Sequence, residues 1–272
     1  MTPFTPPPHF RNAFLDWPDI QEPELVPYRP LGVLAVKSLL VMAPHPDDEV
    51  FGCGGLLALA AQQGVHVHVL VATDGAGAGD PKVREAESRA AARALGLDER
   101  NASLRFWQLP DRGLRPDAAL SARLLALWQE LQPGWVLAPS PLEVHPDHRA
   151  LCRAAVQAWP DWSGNGAARL GFYEVGQPLL PSELVDITSV WVRKEVAMAS
   201  FASQLSMQRY DQQIAALNRY RAYTLGPAVT HAEALWFPSA QACTSPHAMW
   251  QALADLVARR MGAPATDHPE RA

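Results

Sequence analysis

Cysteine is scarce: Cys53, Cys152 and Cys243 are the three in 272 residues, with no CxxC or zinc-finger spacing. An odd count at irregular spacing argues against a disulfide framework and for a reduced, cytoplasmic setting. Long apolar runs are missing too, and none approaches the roughly 20 residues of a membrane span. The first residues show no basic segment followed by an apolar one, so no Sec-type leader is expected. Positive charge is not in surplus: 23 Lys and Arg stand against 28 Asp and Glu, for a formal net charge of −5. That removes the broad electrostatic footprint of a nucleic-acid binder and leaves neutral sugars and small amides open as ligands.

Apolar material is plentiful, at 48% hydrophobic against 19% charged residues, enough for a sizeable core. One large α/β domain is the economical reading of this length. Residues 1–30 carry Pro3, Pro6, Pro7, Pro8, Pro18, Pro23, Pro27 and Pro30, a run read as an extended arm without regular helix. Its Phe4, Phe10, Phe14 and Trp17 suit packing on the domain or on a second copy of the chain, which leaves a homo-oligomer open. The expected division is the arm at 1–30, a single domain at 31–262 and a polar tail at 263–272.

From Val36 onward strands and helices alternate, which predicts βαβ units around a mostly parallel sheet, a Rossmann-like α/β fold. Strands are expected near 37–43, 65–72, 104–109, 135–138, 170–175 and 184–187. Helices are expected near 53–63, 82–95, 117–131 and 147–158. Between Val190 and Leu225 breakers are few, and one or two long helices are expected there.

Two segments carry the chemistry: Ala43-Pro44-His45-Pro46-Asp47-Asp48-Glu49 and His145-Pro146-Asp147-His148. Each follows an expected strand and leads into a helix, so imidazoles and carboxylates converge where open α/β sheets form their ligand crevice. Acidic residues at a helix start also serve as caps, and Asp48 alone fits either role. The recurrence of His-Pro-Asp at a second strand end is what capping does not call for. Two imidazoles and a carboxylate are a common catalytic zinc set with a fourth position left for water. Amide hydrolysis then needs a base for the water and an acid for the amine.

These segments resemble the LmbE-like or PIG-L family of zinc-dependent N-deacetylases, whose pattern pairs (P/A)HPDDE with a downstream HPDH. Thr73-Asp74-Gly75, Arg84 before Leu95-Gly96, Leu109-Pro110-Asp111, Ser203-Gln204, Arg221 and Ala232-Glu233 look like further landmarks, so the resemblance spans about residues 36–240. It implies that His45, Asp48 and His148 bind Zn2+, with Fe2+ the other ion such a set admits. It implies Asp47 as general base, His145 as general acid and Asp147 as the carboxylate orienting His145. Arg84 and Asp111 match sugar-contacting positions. The implied substrate is a small molecule or glycoconjugate bearing an N-acetylglucosamine-type group. Some members place a tyrosine two residues before the HPDH histidine, where this chain has Glu143.

Of the weaker candidates, Asp74 reads as a turn former or pocket residue, His66 and His68 as structural or solvated, and Glu49 as a helix-start charge. A dinucleotide site fails on spacing: counting from Gly52, the third glycine would fall on Leu57. A non-catalytic binding module would not require Asp47, His145 and Asp147 together. An amidase acting on a thiol conjugate shares the motifs and stays open.

Overall fold

A computed structural model describes residues 22–162 and 167–261. Most of the expected arm and the whole expected tail therefore lie outside the described residues. Where the arm is described it is not wholly extended, because Glu22–Leu25 forms a short helix, α1. Pro23 falls in its first turn, where a missing N–H costs nothing.

Seven strands form one sheet: β1 Ser38–Ala43, β2 His66–Thr73, β3 Ala102–Leu109, β4 Trp135–Pro139, β5 Arg169–Tyr173, β6 Glu183–Asp186 and β7 Ala232–Trp236. Their order is β3-β2-β1-β4-β5-β7-β6. The first five are parallel, and β7 runs antiparallel between β5 and β6. The order reverses direction between β1 and β4, so the crevice outside their carboxyl ends is the switch point at which such sheets hold ligands. The Rossmann-like, mostly parallel sheet expected from the alternation is the one observed.

Helices cover both faces. Leu39, Val41 and Ala43 of β1 face the core under α2 (Asp48–Gln62), α3 (Pro81–Ala94) and α6 (Trp191–Ala199). Leu40 and Met42 point the other way, into the core under α4 (Ala118–Leu131), α5 (Pro146–Ala158) and the last helix, Pro246–Arg260. This period of two, apolar on both sides, is what a strand buried on both faces requires. The glycines after β1 serve close packing. A Cβ at Gly52 would collide with the Tyr173 ring, and one at Gly55 with Ile187.

The segment expected as one or two long helices is three: α6, α7 (Ala202–Leu205) and α8 (Tyr210–Arg221). The breaks fall at Phe201 and Arg209, whose ψ angles of 56° and 59° are not helical. Tertiary contacts select them: Ser203 bonds Glu87 of α3 through its N–H and hydroxyl, and Gln204 Nε2 donates to the Ala78 carbonyl. Strand β7 and the last helix, α9, were not among the expected elements.

Candidate metal and catalytic site

The site grows from the ends of β1 and β4. Prolines on both sides of His45 keep its backbone out of helix and turn the chain sharply after Ala43. Thr73, at the end of β2, fixes that turn by donating its N–H and hydroxyl to the Pro44 carbonyl. Helix α2 then starts at Asp48, with Asp47 in a left-handed backbone (φ 141°, ψ −32°). Neither acid follows the capping alternative: Asp47 makes no side-chain cap, and Asp48 turns back toward the histidines. At the second motif His145 is itself the cap of α5, its Nδ1 accepting the Asp147 N–H at 3.2 Å. The proton of the neutral ring therefore sits on Nε2.

One oxygen ties the two motifs together. Asp48 Oδ2 lies 3.1 Å from His45 Nδ1 and 3.2 Å from His148 Nε2, with all three side chains buried. Two ring nitrogens and a carboxylate oxygen are donor types that suit a divalent cation. His145 also presents a ring nitrogen, within 4.8 Å of those of His45 and His148. His45 and His145 also gather with Asp111 and Asp147, so more than one set of ligand atoms meets around His45.

Behind these groups stands a layer of carboxylates. Asp147, expected to orient His145, instead accepts from the other side of His45, with its Oδ2 3.1 Å from His45 Nε2. The same carboxylate takes the backbone N–H groups of Arg112 and Leu114. Asp111 Oδ1 lies 3.3 Å from the same His45 nitrogen while its Oδ2 accepts from Gly77 N–H. Arg84 is spent on protein acceptors: Asp47 Oδ2 at 2.9 Å and the carbonyls of Gly75 and Pro46. Both Arg84 and Asp111 line the cleft. The two terminal nitrogens of Arg84 and both carboxylate oxygens of Asp111 already face protein groups, while Arg84 Nε is buried without a hydrogen-bond partner. Gly75, at φ 66°, leaves room for the guanidinium where any Cβ would strike it.

Glu49 is no simple helix-start charge. Its Oε2 accepts the Asp47 N–H, and Ser88 holds the other oxygen. Asp74 makes a turn by accepting from Ala76 N–H and also holds the backbone of Asp111. His68 bonds Ser103 on the neighbouring strand and is structural.

Protonation follows from this crowding. Burial alone would lower His45, but Asp111, Asp147 and Asp48 push it up to about 12. Burial likewise opposes His148, which Asp48 and Glu143 push up to about 9. Burial favours a neutral Asp48, yet the His148 and His45 rings hold it well below the usual carboxylate range. Asp47 is moved upward by burial and by the Asp48 charge, against the pull of Arg84. His145 is lowered by burial and by the two charged rings beside it. Without a cation, then, the cluster is a set of imidazolium–carboxylate pairs, and an incoming cation replaces protons.

The cleft above has a volume of about 450 Å³, with Phe51, Gln204, Tyr210, Arg112 and Val144 among its walls. A hollow of about 760 Å³ lies elsewhere, beside Trp159, Arg169 and Cys243. It brings together no group of metal-ligating side chains among the described residues.

Residues 40–159, which hold His45, Asp47, Asp48, Arg84, Asp111, His145, Asp147 and His148, match the family described as PIG-L, GlcNAc-PI de-N-acetylase. A 4-oxalmesaconate hydratase of Pseudomonas putida is 30% identical over 207 residues, covering 66% of this chain and 78% of its own. The chain belongs to the PIG-L (LmbE-like) family. A diacetylchitobiose deacetylase of Thermococcus kodakarensis is 32% identical over 195 residues, covering 62% of this PIG-L chain and 70% of its own. Among solved structures, a conserved protein of Thermus thermophilus has 35% identity and a TM-score of 0.66. The match covers 74% of this chain and 94% of that protein. The family thus contains deacetylases and at least one hydratase on a common scaffold.

Sequence reasoning missed Lys194 and Glu174, both buried and charged. Lys194 Nζ donates to Glu233, Asn218 and the Phe51 carbonyl. Glu174 receives Arg221 in a two-pronged pair. Glu233 and Arg221 stand among the sequence landmarks, and their partners are what the linear pattern conceals.

Proposed function

We propose that this chain is a Zn2+-dependent N-deacetylase acting on an N-acetylglucosamine-type amino sugar or its conjugate. His45, Asp48 and His148 hold the ion, with Fe2+ as the other candidate. When bound, such an ion polarises the acetyl carbonyl and lowers the pKa of a coordinated water toward 7. Asp47 takes the proton of the attacking water. Its upward shift brings the carboxylate nearer the working pH, where a general base is most effective. Water oxygen bonds to the acetyl carbon and the C–N bond breaks. His145 serves as acid in its imidazolium form, with Nδ1 released from the Asp147 N–H. It gives its Nε2 proton to the departing amine and is recharged by the proton that Asp47 took from the water. Acetate and a primary amine leave. Asp147 braces His45, and Arg84 braces Asp47. Direct contact of Arg84 and Asp111 with the sugar would require a substrate hydroxyl to share their present partners.

The observation that carries this reading is the shared Asp48 oxygen between two histidines, with a guanidinium-held Asp47 next in the chain. The Pseudomonas putida relative supports a second reading, addition of water to an activated double bond at the same centre. A thiol-conjugate amidase would share all the roles above.

The test is zinc content after stripping and reloading, followed by acetate release from N,N′-diacetylchitobiose and simpler N-acetylglucosaminides. About one ion per chain and acetate release that falls some 10²–10⁴-fold in Asp47→Asn, with metal retained, are the expected results. Metal binding with no acetate release, but hydration of an unsaturated carboxylate, would favour the second reading.

A further inference from the structure

We infer that Glu143 is a positioning residue that sets which nitrogen of His148 faces the ion. The inference rests on the metal-site reading above. Glu143 follows β4 and is 3% exposed. Its Oε1 accepts three successive backbone N–H groups, from Val175 at 2.8 Å, Gly176 at 3.0 Å and Gln177 at 3.2 Å. Oε2 also receives Gly176 N–H and lies 3.3 Å from His148 Nδ1.

That ring nitrogen is buried and closes no well-aligned hydrogen bond; the Glu143 carboxylate is its ion-pair partner. An acceptor beside Nδ1 keeps the proton of the neutral ring there. The lone pair then stays on Nε2, the nitrogen that meets Asp48 at the proposed ion position. His45 is treated in mirror fashion, with Asp147 at its Nε2 and Nδ1 turned to Asp48. Each proposed histidine ligand thus has its own carboxylate behind it. Glu143 does one thing more. Val175 and Gly176 line the cleft, so the carboxylate that orients His148 also fixes part of the cleft wall.

Glu143→Gln tests this with little change of shape. The amide oxygen can still accept the backbone N–H groups, but its NH2 then faces His148 Nδ1. A donor there favours the opposite tautomer, with the proton on Nε2. The dissociation constant for Zn2+, measured by chelator competition, is expected to rise 10–100-fold. Far-UV circular dichroism of the metal-free protein should stay at the wild-type value, showing that the variant folds. Independently of any variant, nitrogen-15 histidine spectra of the zinc-loaded wild type should show the His148 proton on Nδ1. Wild-type zinc affinity in Glu143→Gln, or a proton on Nε2 in the loaded wild type, overturns the inference and leaves the metal site standing. If the wild type itself retains no zinc, both fall together.

Discussion

Asp47 holds a backbone conformation that side chains resist. At φ 141° a residue with a Cβ carries strain on the order of 1–3 kcal/mol. Four residues hold it there: Glu49 accepts its N–H, Arg84 donates to its carboxylate, and the N–H groups of Val50 and Phe51 donate to its carbonyl. The comparison that isolates the backbone is Asp47→Gly against Asp47→Ala, since both lose the carboxylate. Glycine should be the more stable by about 1–2 kcal/mol in urea unfolding. An alanine variant equally stable would mean that the backbone is not strained. His68 offers a second reading at this scale. Burial lowers its ring to about 4, so from about pH 6.5 down to 4 the unfolded chain takes up a proton that the folded chain refuses. Stability therefore falls as pH drops through that window, by roughly 1–2 kcal/mol once solvent screening is allowed for. Urea midpoints at pH 7.5 and 5.0 should differ less in His68→Leu than in the wild type. An unchanged difference would mean that other groups carry the acid sensitivity.

Elements separate what a linear pattern can carry from what it cannot. The two histidine motifs were legible because His, Pro and Asp recur after apolar strands, and the strand ends did bring them together. The pairing of Asp147 with His45 was not legible, since it depends on which way a ring turns across 102 residues of separation. Strand β7 was hidden for a related reason. Glu233 sits within it, and a charge in a buried strand reads as a flaw until its partner is known. That partner, Lys194, comes from α6, and both are almost wholly buried. Glu233 also accepts the N–H groups of Gly55 and Leu56, in the interior of α2. Ion pair and helix are thus locked together, and α2 presents Asp48 at its other end. Lys194→Met leaves Glu233 buried without its cation and should cost about 3–5 kcal/mol in unfolding free energy. A loss below 1 kcal/mol would show that the backbone donors alone satisfy Glu233.

Over the whole molecule the proposed active centre draws on β1, β4 and the loops after β2 and β3, all within the stretch that matches the family. The supports come from further along: Lys194, Arg221 and Glu233 reach back to Phe51, Glu174 and the middle of α2. Strand β5 covers the flank of β4, and β7 covers β5 in turn. The stretch that the family model matches is therefore shorter than the stretch that can stand by itself. Cut after residue 160, the chain would keep both histidine motifs while opening the β4 edge to solvent. It would also strip Gly55 and Leu56 of the carboxylate they bond. The family model's stretch ends at residue 159, and the strands and buried charges after it are what let that stretch hold its shape.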